Sequence, residues 1–388
     1  MPMTETAQQP KVRSVMSQSG AIQRYGTGSV MSEKLLDQTE LEHDIPLLDK
    51  PQVLDDFQLL NPAPLLDPVN LFDKLQCLDK AQLLDHLKRL DKSQLSHLLG
   101  TLWLVSCDQV KDVIMPATFF GLCTALAGSV LRLPSFTALT TLQRGPTVVF
   151  YLWVLVLQFC LHNQRHTHSI EEDLLNKPWR VLPSGRISQK QANTILLFTY
   201  VLGGVPLSIY LGTTNIFAVY TILTLAYNEW GGSDALGFIR NGLCAGGYVC
   251  YFAGALKVAI GRQTTLTSSS WIWIFLLVTA LFTTFHSQDF RDELGDKARG
   301  RKTVLTALGD RGARWILAVA CIGWSLVLPM LYGLTWRGGL LPFVMAIAVA
   351  VMALMGMGKH DQKFDAKMYW VWCAWMISLC PTALLAAY

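Results

Sequence analysis

With 388 residues, 51% of them hydrophobic and only 15% charged, the chain is far more apolar than a soluble domain, which carries about 25% charged residues. A net charge of +4 without any basic stripe argues against nucleic-acid binding. The nine cysteines show no Cys-x-x-Cys spacing and mostly fall in apolar runs, so neither a zinc site nor a disulfide framework is expected.

Residues 1–45 are rich in Gln, Ser, Thr and Gly, and read as a disordered polar leader. No apolar stretch follows a basic start, so no cleavable signal peptide is expected there. Residues 46–100 carry an imperfect Leu-Asp repeat (Leu47-Leu48-Asp49, Leu65-Leu66-Asp67, Leu83-Leu84-Asp85, Leu90-Asp91) too irregular for a solenoid. From Val69 to Leu99 it suits an amphipathic helix lying on the membrane or on the cytosolic face of the protein. Its acids recur as a solvated stripe and receive no metal.

Residues 101–388 form the expected catalytic domain, an all-α, polytopic membrane protein. Nine apolar segments run over 113–133, 145–162, 192–211, 213–228, 239–261, 271–287, 314–335, 339–358 and 368–388. Most approach the roughly 20 residues needed to cross a bilayer. The fourth and sixth are short, and only Gly212-Thr213 separates the third from the fourth. With nine spans, loops on the N-terminal side carry sixteen Lys and Arg, and the opposite side four (Arg132, Arg144, Arg262, Arg337). The positive-inside rule therefore orients the N-terminus and two acid-rich loops toward the cytosol. For a multi-pass protein the endoplasmic reticulum is the default membrane.

The first acid loop is Ser169-Ile170-Glu171-Glu172-Asp173, followed by Asn176-Lys177-Pro178-Trp179-Arg180 and Leu182-Pro183-Ser184-Gly185-Arg186-Ile187-Ser188. By itself it could be an ordinary juxtamembrane linker. In the second, Asp289, Asp292 and Asp296 spell D-x-x-D-x-x-x-D, offsets that put all three on one helix face. Crowded like charges repel unless a cation sits among them. The competing reading is a solvated helix end with incidental pairs such as Asp292 with Lys297. Mg²⁺ takes carboxylates together with substrate phosphates, and basic residues nearby can hold the rest of a diphosphate.

These two stretches resemble the paired signatures of UbiA-superfamily intramembrane prenyltransferases. The resemblance covers about residues 100–388 and implies a helical bundle around a central cavity, with Mg²⁺ and a prenyl diphosphate held by both motifs. Carried over by position, Asp173, Asp289, Asp292 and Asp296 are the metal-facing acids, and Lys177, Arg180, Arg291 and Lys302 the diphosphate cations. The first motif departs from the family's N-x-x-x-D-x-x-x-D, with Ser169 at the middle Asp position and Arg165 at the Asn position. Glu172 and Asn163 compensate if the register shifts. The Ser-x-Glu-Glu-Asp form, and Thr101-Leu102-Trp103-Leu104 before the first span, resemble a fungal branch that includes membrane-bound terpene cyclases.

Further candidates lie on the spans. Lys257 either points into the cavity toward diphosphate or snorkels to the nearer interface. Asn228 is a candidate extra ligand, and Arg240-Asn241 is equally a helix-start anchor. Trp370, Trp372 and Trp375 read as an interfacial belt. Aromatic rings lining a cavity could stabilise a carbocation. Of His162, His166, His168 and His286, one could take a proton at the end of the reaction. The expected activity is Mg²⁺-dependent ionisation of a farnesyl or geranylgeranyl diphosphate, followed by intramolecular cyclisation. The alternative is prenyl transfer to an aromatic or polyketide acceptor. A transporter is disfavoured, because the acids sit at span ends and no inverted repeat is visible.

Overall fold

The computed structural model describes residues 92–388, so the polar leader and the Leu-Asp repeat up to residue 91 lie outside the described residues. Among the described residues all regular structure is helical. Helix α1 (Lys92–Ser106) leads through a tight turn and a π-helical turn, Val110–Ile114, into α2 (Met115–Leu126) and the short α3 (Gly128–Leu131). Then come α4 (Ala138–Gln164), α5 (Thr167–Asn176) and α6 (Gln189–Phe198), the last joined through a second π turn to α7 (Val205–Leu211). They are followed by α8 (Thr214–Asn228), α9 (Gly237–Ile260) and α10 (Ser268–Thr284), which runs on into α11 (Ser287–Arg291). Helices α12 (Glu293–Ala298), α13 (Val304–Leu331), α14 (Trp336–Met355), α15 (Gln362–Leu379) and α16 (Thr382–Leu385) complete the chain.

Local sequence sets several of these starts. Thr137, Thr267 and Thr303 each accept a hydrogen bond from the backbone N–H three residues on, and Ser188 with Gln191 forms a reciprocal capping box. All nine apolar segments are helical, and among the described residues seven helical stretches are long and apolar enough to cross a membrane. The first segment falls short because Ala127 leaves helical geometry (φ −83°, ψ 29°) after the 12 residues of α2. The fourth, α8, has 15 residues. The sixth is longer than expected: Ser268–Arg291 runs for 24 residues, carrying Asp289 up from the apolar layer.

Helix α9 is the hub, packed against α2, α4, α8 and α10. Small residues permit this: a Cβ on Gly121 of α2 would lie 2.8 Å from the Ala255 carbonyl carbon, and one on Gly254 would lie 2.6 Å from the Tyr151 ring. Helices α13, α14 and α15 pack in sequence, and α15 also lies against α11. The buried Arg314 ties this part together, donating to both Asp365 carboxylate oxygens at 2.8 Å and to Asp310 at 2.7 Å. Its guanidinium also sits over the Phe290 ring, 4.3 Å from the centroid. Of the expected aromatic belt only Trp370 is exposed; Trp372 and Trp375 are buried, the latter donating its indole N–H to Ser325 Oγ at 2.8 Å.

Candidate active site

The two acid-rich stretches meet through α5 and α12, which pack directly against each other. Gly295 makes the approach possible, because a Cβ there would stand 3.0 Å from Glu172 Cγ and far inside contact distance of the Asn176 amide. The single helix expected to carry Asp289, Asp292 and Asp296 is broken. Asp292 (φ −98°, ψ 12°) ends α11 and begins α12, and the three acids have different hydrogen-bond partners.

Asp289 Oδ1 accepts from Arg240 at 3.3 Å. Asp292 is held by Arg291 through two hydrogen bonds of 3.0 and 2.9 Å, with Lys177 Nζ 3.7 Å away. Asp296 Oδ1 and Glu172 Oε1 both accept from Arg301 at 2.8 Å, while Arg299 donates to Glu172 Oε2 at 2.9 Å. Arg180 Nη1 donates to both Asp173 oxygens at 2.9 Å, and its Nε and Nη2 donate to Asp108 Oδ2. Lys297, the incidental partner considered for Asp292, pairs with Glu293 instead.

Burial pushes the carboxyls of Asp173 and Asp296 up, although the arginines beside them pull the other way. Asp292 goes in the opposite direction: against the effect of burial, Arg291 and Lys177 hold it well below the usual carboxylate range. Burial lowers Lys177 despite Asp292. The buried Oδ2 atoms of Asp289 and Asp296 have no hydrogen-bond partner among the described residues. Among the described residues no three acidic, His or Cys side chains stand in a preformed metal cluster. Each of Asp173, Glu172, Asp289, Asp292 and Asp296 is paired with a cation.

Beneath this layer a cavity holds about 150 Å³ of water-accessible space. Its mouth is lined by Asn163, Glu172, Asp173, Lys177, Arg180, Arg240, Arg291, Asp292 and Arg301, and its depths by Tyr220, Tyr248, Tyr251, Phe285, Tyr369 and Trp372. The rings pack edge to face and side by side, with Tyr248–Phe285 centroids 5.0 Å apart and Tyr369–Trp372 5.4 Å apart. One end of the cavity is ionic and the other aromatic.

Five expected site residues lie outside this lining: Asp289 and Asp296, which pair with Arg240 and Arg301, and then Lys257, Lys302 and Asn228. Lys257 donates to the carbonyls of Gly261, Arg262 and Thr264 at the far end of α9, the snorkelling alternative. Lys302 is exposed, and its neighbour Arg301 reaches inward. Asn228 is buried behind the wall, bonded to the Thr224 carbonyl and accepting from Asn163 at 3.1 Å, so it orients Asn163 instead of lining the cavity. Of the histidines, His162 bonds Glu229 at 2.6 Å and His286 bonds the Ala313 carbonyl at 3.0 Å. The sequence reading missed Arg301, Asp108 and Asp112, and left Arg240 undecided.

Residues 114–379 match the UbiA prenyltransferase family. The chain is 32% identical over 230 residues to fumagillin beta-trans-bergamotene synthase af520 of Aspergillus fumigatus, covering 58% of this chain and 76% of the relative. It is 32% identical over 226 residues to somaliensene A/B synthase of Streptomyces somaliensis, covering 58% and 69%. To polyprenyl transferase eriF of Hericium erinaceus it is 26% identical over 287 residues, covering 71% and 90%.

Proposed function

The chain belongs to the UbiA prenyltransferase family, and on that premise we propose that it ionises farnesyl or geranylgeranyl diphosphate within the membrane and cyclises the cation to a terpene. It would then be a diphosphate-releasing lyase of secondary metabolism. The observation that carries this reading is the cavity itself, ionic at its mouth and aromatic in its depths, the two environments that a diphosphate head and an isoprenoid tail require. The similarity to two synthases, of bergamotene and of somaliensene, supports intramolecular closure.

The acids present fit a divalent cation. All are hard oxygen donors, and the partnerless Oδ2 atoms of Asp289 and Asp296 would gain a ligand they lack. Asp173, Asp289, Asp292 and Asp296, with Glu172 and Asn163, would hold Mg²⁺. Mg²⁺, when bound, offsets the charge on the diphosphate and makes it a better leaving group. Lys177, Arg180 and Arg291, joined by Arg240 and Arg301, would donate hydrogen bonds to the diphosphate oxygens, exchanging carboxylate partners for phosphate. The aromatic depths exclude water from the allylic cation and present π faces to it. The charged mouth would face the cytosol from the endoplasmic reticulum membrane.

Similarity to the polyprenyl transferase eriF supports a second reading, in which an aromatic or polyketide acceptor captures the cation. Incubation of membranes with either prenyl diphosphate and Mg²⁺, without acceptor, separates the two. Gas chromatography–mass spectrometry should reveal a new hydrocarbon or terpene alcohol absent from an Asp289→Ala control. Substrate consumed only after an acceptor is added would instead establish transfer.

A further inference from the structure

Among the carboxylates that line the cavity, Glu172, Asp173 and Asp292 are each held by a guanidinium or ammonium group. Asp112 is different. It is 4% exposed and lines the cavity, yet among the described residues it has no cation within ion-pair distance. Its Oδ2 accepts from the Tyr369 hydroxyl at 2.7 Å, and its main-chain carbonyl accepts from the Tyr248 hydroxyl at 2.7 Å. Its Oδ1 is buried and, among the described residues, has no hydrogen-bond partner.

The backbone accounts for this placement. Asp112 lies in the π turn Val110–Ile114, where an extra residue is wound into the helix just before the first apolar segment. Such turns re-aim a side chain and concentrate at functional sites. Here the carboxylate is delivered among rings: Tyr248 packs on Phe285, Tyr369 on Trp372, and Phe285 lies 6.3 Å from Trp372. Arg291 of the ionic mouth stacks on the Tyr369 face at 4.2 Å, so that one ring stands between the diphosphate clamp and Asp112. A buried carboxylate oxygen with no donor is costly unless something else meets it.

The geometry points to Asp112 as the base that ends the cyclisation, an inference that rests on the cyclase reading above. The last carbocation loses a proton from an adjacent carbon. The C–H electron pair becomes the new C=C bond, and the proton passes to Oδ1, leaving a neutral acid and a neutral alkene. Tyr369 holds Oδ2 throughout and so fixes the direction in which Oδ1 points. The other carboxylates that line the cavity, Glu172, Asp173 and Asp292, are less suited to this step, since arginine already engages both oxygens of each. Before that transfer the same negative charge would draw the migrating cation toward the aromatic end of the cavity.

The test is Asp112→Asn in membranes supplied with Mg²⁺ and whichever of the two prenyl diphosphates the wild type consumes, following pyrophosphate release and product composition together. Release should stay within about threefold of wild type, because ionisation does not need the base. The wild-type alkene should give way to alcohols and to isomers with the double bond elsewhere. Asp112→Glu, which keeps a carboxylate, should restore part of the wild-type alkene. An unchanged product pattern in Asp112→Asn overturns the assignment, as does an identical altered pattern in Asn and Glu variants. Loss of release in a protein that is still membrane-inserted and monodisperse in detergent also overturns it, placing Asp112 in the diphosphate machinery. A wild type that releases no pyrophosphate without an acceptor fails the cyclase reading itself, before any variant is compared. If Asp112→Asn does not accumulate, Tyr369→Phe keeps both ring and carboxylate. That variant should give a larger share of off-pathway product at whatever rate of release it retains, and a wild-type product pattern from it overturns the base assignment.

Discussion

Arg301 and Lys302 are adjacent basic residues with opposite orientations, and the turn before them explains why. Gly300 takes a left-handed conformation (φ 70°), which lets the Arg301 N–H return to the Asp296 carbonyl at 2.9 Å and sends the guanidinium inward to Glu172 and Asp296. Lys302 then faces outward. Removing one partner of a buried ionic group costs roughly 3–5 kcal/mol. Arg301→Ala is therefore expected to lower pyrophosphate release by about a hundredfold or more, and Lys302→Ala by no more than about twofold. Equal losses would mean that this turn is not what selects the cation. Asp289→Ala and Asp173→Ala should each abolish release while the protein remains membrane-inserted, and near-normal turnover in both would sink the two-motif assignment. The acids were legible in the sequence because their spacing is local and few other carboxylates interrupt the spans. Their cations were less so, since a single left-handed glycine decides which of two neighbours turns inward. Asp112 carried one usable signal, a carboxylate at the threshold of an apolar run, but nothing in its spacing tied it to Tyr369, 257 positions away.

Between elements, the decisive contact is that of α5 with α12. The sequence offers D-x-x-D-x-x-x-D as one helical face, but the chain breaks helical geometry at Asp292 and α12 sets off anew. The break lets Lys177 reach Asp292 while Arg301 spans Glu172 and Asp296, so each motif is pinned to the other by cations. Gly295 faces Glu172 and Asn176 where these helices touch. A methyl group there must push the α5 side chains aside, an overpacking cost of about 1–3 kcal/mol. Gly295→Ala is expected to reduce pyrophosphate release at least about tenfold with expression and membrane insertion unchanged. Activity equal to wild type would show that the spacing of the two acidic helices is not critical. Periodicity could not have revealed this contact, which joins residues 123 positions apart. The same limit explains Trp372 and Trp375: their residue type suggested an interfacial belt, and tertiary packing of α15 against α11 and α14 buried them.

Across the whole molecule, the mouth of the cavity and the ion pairs beside it gather charges from distant parts of the chain: Asp108 before α2, Glu172 and Asp173 on α5, Arg240 on α9, and Asp289 to Arg301 around α11 and α12. Every one of these acids already has a basic partner, which has a consequence for binding. Mg²⁺ arriving alone must compete with arginine and lysine for the carboxylates. Diphosphate arriving alone must draw the same arginines away and leave buried carboxylates uncompensated, which is costly. On the proposed function, arrival of both would let the acids turn to the metal and the cations to phosphate, so that neither set would be stranded. Because a ligand stabilises the folded state by an amount that rises with the logarithm of its concentration over its dissociation constant, and each would tighten the other, the two should act synergistically. In detergent, Mg²⁺ alone and pyrophosphate alone are each expected to shift the unfolding temperature by about 1–2 °C at most, and the pair by at least about 5 °C. The extra shift should disappear in Asp289→Ala and on adding a chelator. Shifts from the separate ligands that simply add would mean the acids and cations act as independent sites, and that the pairing seen across the mouth is not exchanged on binding.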